Sequence, residues 1–428
     1  MTEMATENDP VQDPGSPYLG WPDRARLSLG NQLALGFFWL PNNLLWTGLI
    51  LIVMPARVLA LVGAQHSTGV LSWTTYLGAA AAIIVAPVFG AISDGWRSRM
   101  GRRRPLMALA ALPSLAGILI LVGAPTLAWF VVGLLAVQIF GNIVQASYQG
   151  LIPDLVPHRQ RGTASGMMAL YNQLGVIGGG LIAGFLSPFL FAWSSLGVMA
   201  AGFGVTFGLV KEPPSLDAKR KPWAEVFRSF FLRGSHYQDF RWVFSTRLLV
   251  MIGLYVLETY LFYYLHFVLG IADPGREVTY VLLILSFTAV FSSILAGVIS
   301  DRVNRRRIIV SVSGVVMGIC ALLFVFSHTM TMVYVAAIAF GIGYGAYQSV
   351  DWALAVDTMP AGAAAKDMGV WSITVTLGQL LASLFGTFLA FAIIPALGTI
   401  ATYRLMFGST ALLFLIGSAL IWRVRRVA

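Results

Sequence analysis

The chain alternates between long apolar stretches and short polar connections over almost its whole length. An α-helix needs about 20 residues to cross a hydrocarbon core of about 30 Å, and each stretch reaches that length. The pattern therefore predicts twelve membrane-spanning helices. In chain order, these twelve spans cover residues 29–56, 71–93, 105–124, 128–151, 164–188, 191–210, 243–269, 279–300, 308–327, 331–355, 368–394 and 402–422.

The segments outside the apolar stretches divide the chain. Residues 1–27 are acidic, proline-containing and poor in apolar side chains, which predicts a disordered tail. They lack the basic start and apolar core of a signal peptide. The longest polar connection, 211–241, contains at 223–232 either a short amphipathic helix on the membrane surface or a simple tether. The predicted organisation is a tail (1–27), a six-helix bundle (28–210), a central loop (211–241), a second six-helix bundle (242–424) and a short tail (425–428).

Composition excludes several classes of protein. A mean hydropathy of +0.78 and 57% hydrophobic residues are too apolar for a soluble domain. The net charge of +10 comes from basic residues in the polar connections, so it indicates membrane orientation and not nucleic-acid binding. All but Arg57, Arg276 and Arg404 of the 28 Lys and Arg residues fall on one side if both termini are cytoplasmic. We therefore expect a multi-pass inner-membrane protein with cytoplasmic termini.

Neither a metal site nor enzyme chemistry is indicated. Cys320 is the only cysteine, and no Cys/His cluster, catalytic nucleophile arrangement or nucleotide-binding loop is present. We expect no cofactor and no enzymatic activity.

A dense basic loop lies between the second and third spans and has a shorter copy in the second half. The first copy runs from Gly90 and Asp94 to Pro105, and the second begins with Gly297, Asp301 and Arg302. A second pair of landmarks, Asp154-Leu-Val-Pro157 and Asp357-Thr-Met-Pro360, is spaced 203 residues apart, close to the 207 residues between Asp94 and Asp301. Two landmarks in the same order indicate an internal duplication, as in many secondary transporters.

Gly-x-x-x-Asp followed by a basic run resembles the signature loop of the major facilitator superfamily, and the longer form here resembles that of its glycoside-pentoside-hexuronide and sucrose transporter branches. The resemblance implies an all-α membrane protein with twelve helices in two pseudo-symmetric six-helix bundles. It also implies a gate in which Asp94 bonds basic residues and a helix end across the interface between the halves. The residues expected at the gates are Gly90, Asp94, Arg97, Arg99, Arg102, Arg103, Arg104, Asp154, Asp301, Arg302 and Asp357.

Ion coupling normally requires an ionisable group inside the membrane, where charge is costly. Two carboxylates qualify, Glu258 in the seventh span and Asp351 in the tenth. The alternative is a structural ion pair, for which Arg247 is a poor partner of Glu258 because it lies about three helical turns away. Na⁺-coupled sugar symporters of the melibiose-permease type carry acids inside the second and fourth spans, and this chain has none there, so protons are favoured over Na⁺.

Polar side chains recur at helical spacing and predict a binding face. Amides hydrogen-bond hydroxyl-rich ligands in both directions, and aromatic faces pack against sugar C–H groups. The alternative is that the amides join helices to one another. The predicted binding residues are Trp39, Asn42, Asn43, Trp46, Gln138, Asn142, Gln145, Gln149, Asn172, Gln173, Tyr255, Tyr344 and Gln348.

We therefore expect a secondary active transporter that moves a polar organic solute, with a sugar or glycoside favoured, by alternating access and proton coupling. It would act in the lipid bilayer as a monomer on a small-molecule substrate. The first alternative is an exporter of lipophilic drugs or lipids with the same fold. The alternative from a different class is a membrane sensor or assembly partner that does not transport.

Overall fold

The computed structural model describes residues 27–156, 160–216, 238–303, 305–358 and 364–424. These residues are helical apart from short connections and one isolated β-bridge, Ser98 with Ser215. The predicted N-terminal tail up to residue 26 and the candidate amphipathic segment 223–232 lie outside the described residues.

The helices match the predicted spans to within a few residues at most ends. The first span comprises Leu29–Gly36, Trp39–Gly48, the π-helix Leu49–Val53 and the start of Met54–Asp94, whose remainder is the second span. Spans three to six are Arg104–Gly123, Leu127–Leu155, Arg161–Phe185 and Pro188–Leu209. The seventh is Gln238–Tyr263 with the π-helix Tyr264–Val268, and the next three are Pro274–Val303, Arg306–Val325 and Met330–Thr358. The eleventh is Ala364–Phe388 with the π-helix Leu389–Ile393 and Ile394–Leu397, and the twelfth is Thr399–Leu420 with the 3₁₀ turn Ile421–Arg423.

Local chemistry explains two interruptions in the first two spans. Pro41 has no N–H and clashes with the carbonyl four residues earlier, which is that of Phe37, and the helix breaks at residues 37–38. Gly63 has φ of +71°, a conformation that side-chain-bearing residues rarely adopt, and separates the first span from the second. Eleven segments of the described chain are long and apolar enough to cross a membrane, and the 66-residue segment Leu29–Asp94 crosses twice because of Gly63.

The spans form two bundles, which we call the N-terminal half (spans one to six) and the C-terminal half (spans seven to twelve). They meet along two pairs of helices, the second span on the eleventh and the fifth on the eighth. These two pairs exchange under the internal duplication. We call the end of the molecule that carries residues 95–103 the loop end, and the other the far end.

Candidate functional site: a cavity between the two halves

The far end is closed by hydrogen bonds between the halves. The hydroxyls of Thr68 and Tyr403 are 2.8 Å apart, and those of Ser72 and Tyr260 are 2.7 Å apart. Tyr263 donates to the carbonyl of Pro55 at 3.0 Å. The sequence analysis did not identify these tyrosines, although Thr68 and Ser72 stand one helical turn apart in an apolar span.

The fifth and eighth spans close the same end on the other side of the molecule. Thr279 donates to the carbonyl of Gly180 at 2.9 Å, and the Arg276 guanidinium lies 5.7 Å from the centre of the Phe185 ring. Within the described residues, every hydrogen bond between the halves lies at the far end. The hydrogen bonds of the described residues thus hold the two halves together at the far end.

The predicted amide stripe of the fourth span becomes more exposed toward the loop end. Gln138, nearest the far end, is buried, Asn142 and Gln145 are half-buried, and Gln149 is exposed. Asn142 donates to the carbonyl of Gln138 at 2.7 Å and to its side-chain oxygen at 3.2 Å. The first two amides therefore bond each other, and Gln145 and Gln149 remain open toward the loop end.

Span five joins span one around a cavity of about 360 Å³, which is lined by Trp39, Met168, Ala169, Asn172 and Gln173. The structure thus brings together three predicted binding residues from two spans. The indole nitrogen of Trp39 is buried and has no hydrogen-bond partner among the described residues.

The two asparagines of the first span lie on different faces. Asn43 is half-buried, as are Trp39 and Trp46, which lie four residues before it and three after it. Trp46 reaches the fourth span at Gly141. Asn42 is 6% exposed and shares the buried face with Phe38 and Leu45. Of the two asparagines, Asn43 is therefore the one on the face with the tryptophans.

Glu258 lies within the seventh span. Its side chain is half-buried and is close enough to Tyr255 and Tyr344 to interact electrostatically with both. No hydrogen bond or ion pair reaches its carboxylate from the described residues. Gln348 is exposed and donates to the Tyr344 hydroxyl at 2.6 Å. Glu258, Tyr255, Tyr344 and Gln348 thus form a polar cluster on the seventh and tenth spans.

Asp351, the other intramembrane acid, is fully buried and paired. Arg247 donates from Nη1 to its Oδ2 at 2.5 Å and from Nε to the Thr374 hydroxyl at 3.0 Å. The Arg247 guanidinium also lies 3.5 Å from the centre of the Trp371 ring. The ion-pair alternative therefore describes Asp351 and not Glu258. From the sequence, Arg247 is considered only as a partner of Glu258, and Trp371 and Thr374 are not among the predicted residues.

The basic loop forms a network within the N-terminal half. Arg102 and Arg103 both bond Asp154 at the end of the fourth span, with a shortest distance of 2.5 Å for Arg102 and 3.0 Å for Arg103. Arg103 also bonds Asp94 at 2.5 Å. Asp154 is 9% exposed and Asp94 is 46% exposed, so Asp154 is the buried centre of the network. The expected contact of Asp94 across the interface is not present among these described pairs.

Glu212 completes the network from the end of the sixth span, and the sequence analysis did not select it. Its carboxylate accepts from the backbone N–H groups of Arg102, Arg103 and Arg104 at 2.8 to 3.1 Å, which caps the third span. Gly101, with φ of +90°, lies so close to this carboxylate that a side chain would collide with it. Burial raises the pKa of Glu212 above its ordinary value, against the opposing effect of the three N–H groups and Arg103.

The remaining predicted gate residues differ in whether they contact other residues. Arg104 bonds the carbonyl of Phe207, and Arg97 and Arg99 are exposed. Gly90 faces open space, and Arg302 in the second copy is exposed. The side chains of Asp301 and Asp357 lie outside the described part of the structure. Within the described residues, no group of three His, Cys, Asp or Glu side chains could hold a metal ion.

Comparison with known proteins assigns the architecture. Residues 33–383 match the family model of the Major Facilitator Superfamily. A bacterial homologue of the human lysosomal transporter Spinster, inward-facing and occupied, is similar with 16% identity and a TM-score of 0.68, covering 93% of this chain and 96% of that one. A mutant of the nucleoside transporter NupG is similar with 13% identity and a TM-score of 0.70, covering 92% and 100%. The peptide transporter POT in complex with sulfate is similar with 12% identity and a TM-score of 0.70, covering 92% of this chain and 93% of that one. No curated protein matches the sequence.

Proposed function

This chain belongs to the major facilitator superfamily of membrane transporters, and we propose that it is a secondary active transporter that moves a polar organic solute with protons. A sugar or glycoside is the favoured cargo. The halves rock about the central cavity, so that the far end and the loop end open in turn. Each chain carries both six-helix halves, which supports a monomer as the transporting unit.

The observation that carries the proposal is the environment of Glu258. A carboxylate inside the membrane that has no ion-pair partner among the described residues can take up and release a proton without breaking a salt bridge. Glu258 also lies beside Tyr255 and Tyr344, and a bound solute could contact the hydroxyl groups of these two tyrosines. Proton binding and solute binding would therefore occur in the same cavity.

The lining of the cavity supports a polar cargo. Amides at Asn142, Gln145 and Asn172 combine with the aromatic side chains of Trp39 and Tyr344. Such a lining suits a molecule with many hydroxyl groups and some apolar faces. The extended basic loop, which resembles that of sugar-transporting branches, supports the same cargo.

The basic loop supports the proposed gating. Arg102, Arg103, Asp94 and Asp154 are held within one half in this conformation. When the loop end closes, the half-exposed Asp94 is the acid of this network that is accessible to the other half. If the excess of basic residues marks the cytoplasm, the loop end and both termini are cytoplasmic in an inner membrane.

Transport into proteoliposomes tests the proposal. We expect labelled methyl glucoside or sucrose to accumulate under an inward proton gradient and to stop accumulating in Glu258→Gln, because the substituted amide cannot titrate. Exchange of solute at equal concentrations should continue in that variant. Glu277→Gln is the matched control, since Glu277 contacts Tyr334 at the far end and not the cavity.

Other outcomes separate the alternatives. Export of cationic or lipophilic drugs without sugar movement would favour the drug or lipid exporter. Absence of transport for sugars, peptides and amphiphiles, together with ligand-dependent thermal stabilisation, would favour a sensor. Full proton-driven accumulation in Glu258→Gln would exclude Glu258 as the coupling group.

A further inference from the structure

A buried polar cluster in the C-terminal half joins the seventh, tenth and eleventh spans. Its members are each 7% exposed or less, and burying such groups is costly unless their hydrogen bonds are completed. The five side chains, which we call the Arg247 cluster, are Arg247, Tyr347, Asp351, Trp371 and Thr374.

The guanidinium of Arg247 is only partly used by the protein. A guanidinium carries five N–H groups in a planar fork. Nε donates to Thr374 and Nη1 donates to Asp351, and within the described part of the chain Nη2 makes no hydrogen bond. One edge of the fork therefore remains available for another acceptor.

Two further polar atoms of the cluster have no partner among the described residues. They are Nε1 of Trp371, a donor, and Oδ1 of Asp351, an acceptor. The centre of the Trp371 ring lies 3.5 Å from the guanidinium carbon of Arg247, so the indole and the guanidinium are in contact. The Tyr347 hydroxyl lies beside Asp351 without completing a hydrogen bond to it. The cluster thus holds unused donors next to a positive charge.

The Arg247 cluster lies beside a polar face of the tenth span. Asp351 shares that face with Tyr344, which is half-buried, and with Gln348, which is exposed. Gln348 therefore stands one helical turn from Asp351, and the exposed polar face ends at the cluster.

We propose that the Arg247 cluster is a subsite for a carboxylate group of the cargo, so that a sugar bearing one carboxylate is preferred over its neutral counterpart. This inference rests on the proposed transport function and narrows its substrate class. The carboxylate accepts from Nη2 of Arg247 and from the indole N–H of Trp371. A carboxylate has two acceptor oxygens, so it can accept from both donors at once, and its charge strengthens the hydrogen bond from the guanidinium.

Charge balance assigns a role to Asp351. A solute carboxylate beside an ionised Asp351 would place two negative charges against one guanidinium in a buried site, which is unfavourable. Asp351 therefore takes a proton from the cavity when the solute binds, and proton and anion move together. Arg247 on the seventh span and Tyr347 on its own helix are the titratable groups that face Asp351 among the described residues, and the eleventh span contributes Trp371 and Thr374, which do not titrate.

Ligand-induced thermal stabilisation of the purified full-length protein tests this inference separately from transport. The probes are matched pairs that differ in one carboxylate, D-glucuronate with D-glucose and propionate with propanol. We expect the carboxylate of at least one pair to bind about tenfold more tightly than its neutral partner. Binding should tighten as pH falls, because protonation of Asp351 releases the guanidinium.

Three variants separate a binding role from a structural one. Asp351→Asn mimics the protonated acid, and should bind the carboxylate at least as tightly as the wild type with little dependence on pH. Trp371→Phe keeps the ring that packs on the guanidinium and removes the N–H, and should weaken carboxylate binding several-fold while neutral partners are unaffected. Arg247→Gln with Asp351→Asn keeps the site neutral, and should lose the preference for carboxylates.

The inference is overturned if no carboxylate binds better than its neutral partner, or if Trp371→Phe weakens both partners equally. The proposed transport function survives that result if neutral solutes still accumulate with protons. Conversely, preferential carboxylate binding without any transport would leave the subsite standing and remove the proposed function.

Discussion

The two halves of this molecule share one fold but use charge in different places. In the N-terminal half, the ion pairs of Arg102 and Arg103 lie at the loop end, beyond the apolar core of the spans. In the C-terminal half, Glu258, Arg247 and Asp351 lie within the spans themselves. The interior of the N-terminal half instead carries amides and tryptophans.

The difference indicates that the two halves have different roles. A charge at the membrane surface can hold a loop in place at modest cost, because water is nearby. A charge inside the bundle is expensive and has to be compensated by partners or by function. We therefore interpret the loop network as the part that fixes structure and the C-terminal charges as the part that carries the cargo and the proton.

The two copies of the basic loop can be compared where both are described. The first copy is bonded to Asp154 and Glu212, so it is anchored to the fourth and sixth spans. In the second copy Arg302 and Arg305 are exposed, and Arg307 donates to the carbonyl of Val424 at 2.6 Å, which ties this copy to the end of the twelfth span. The side chains of Asp301 and Asp357 lie outside the described part of the structure.

The largest effect is expected at the buried centre of the loop network. Asp154→Asn leaves Arg102 and Arg103 without their shared charge, and breaking a buried pair of this kind costs about 3–5 kcal/mol. We expect a clearly lower Tm in detergent. Asp273→Asn is the control. The side chains of Asp273 and its partner Arg276 are 60% and 55% exposed, so their ion pair should contribute almost nothing to stability. Equal stability of the two variants would refute a structural role for the network.

An intermediate effect is expected where the halves meet. Tyr260→Phe with Tyr403→Phe removes two hydrogen bonds across the far end, worth about 1 kcal/mol each. The population open at the far end should rise about tenfold or more. Maleimide labelling of Ser67→Cys, a buried far-end position, in a Cys320→Ser background would report the change.

Tyr264→Phe is the matched control for this measurement. Its hydroxyl bonds the carbonyl of Phe324 within the C-terminal half, so its loss should leave labelling unchanged. If the double variant labels no faster than this control, the hydroxyl pairs do not hold the far end closed.

The smallest effect is expected at Asp94. This acid is 46% exposed and Arg103 keeps Asp154 as a partner, so Asp94→Asn should lower stability by less than about 1 kcal/mol. Its effect should appear in transport rate, because the proposed role is at the closed loop end. A loss of stability as large as that of Asp154→Asn would show that Asp94 belongs to the structural core of the network.

Much of the fold follows from the sequence because membrane helices are defined locally. Apolar length alone predicted the spans, and Pro41 and Gly63 act on the backbone at or near their own position. The acids Glu258 and Asp351 could be selected because any intramembrane carboxylate is rare. Their different environments could not be predicted, since the partner of Asp351 stands 104 residues away on another helix.

The sequence by itself determined the helices, the duplication and the set of polar residues available inside the membrane, because each depends on spacing along one chain. Tertiary structure alone decided which of them meet. It paired Arg247 with Asp351, placed Glu258 beside Tyr255 and Tyr344, placed Asn43 rather than Asn42 beside the tryptophans and brought Glu212 to the start of the third span. The physical reason is that these contacts depend on how helices rotate and cross, which is set by packing of all twelve spans at once.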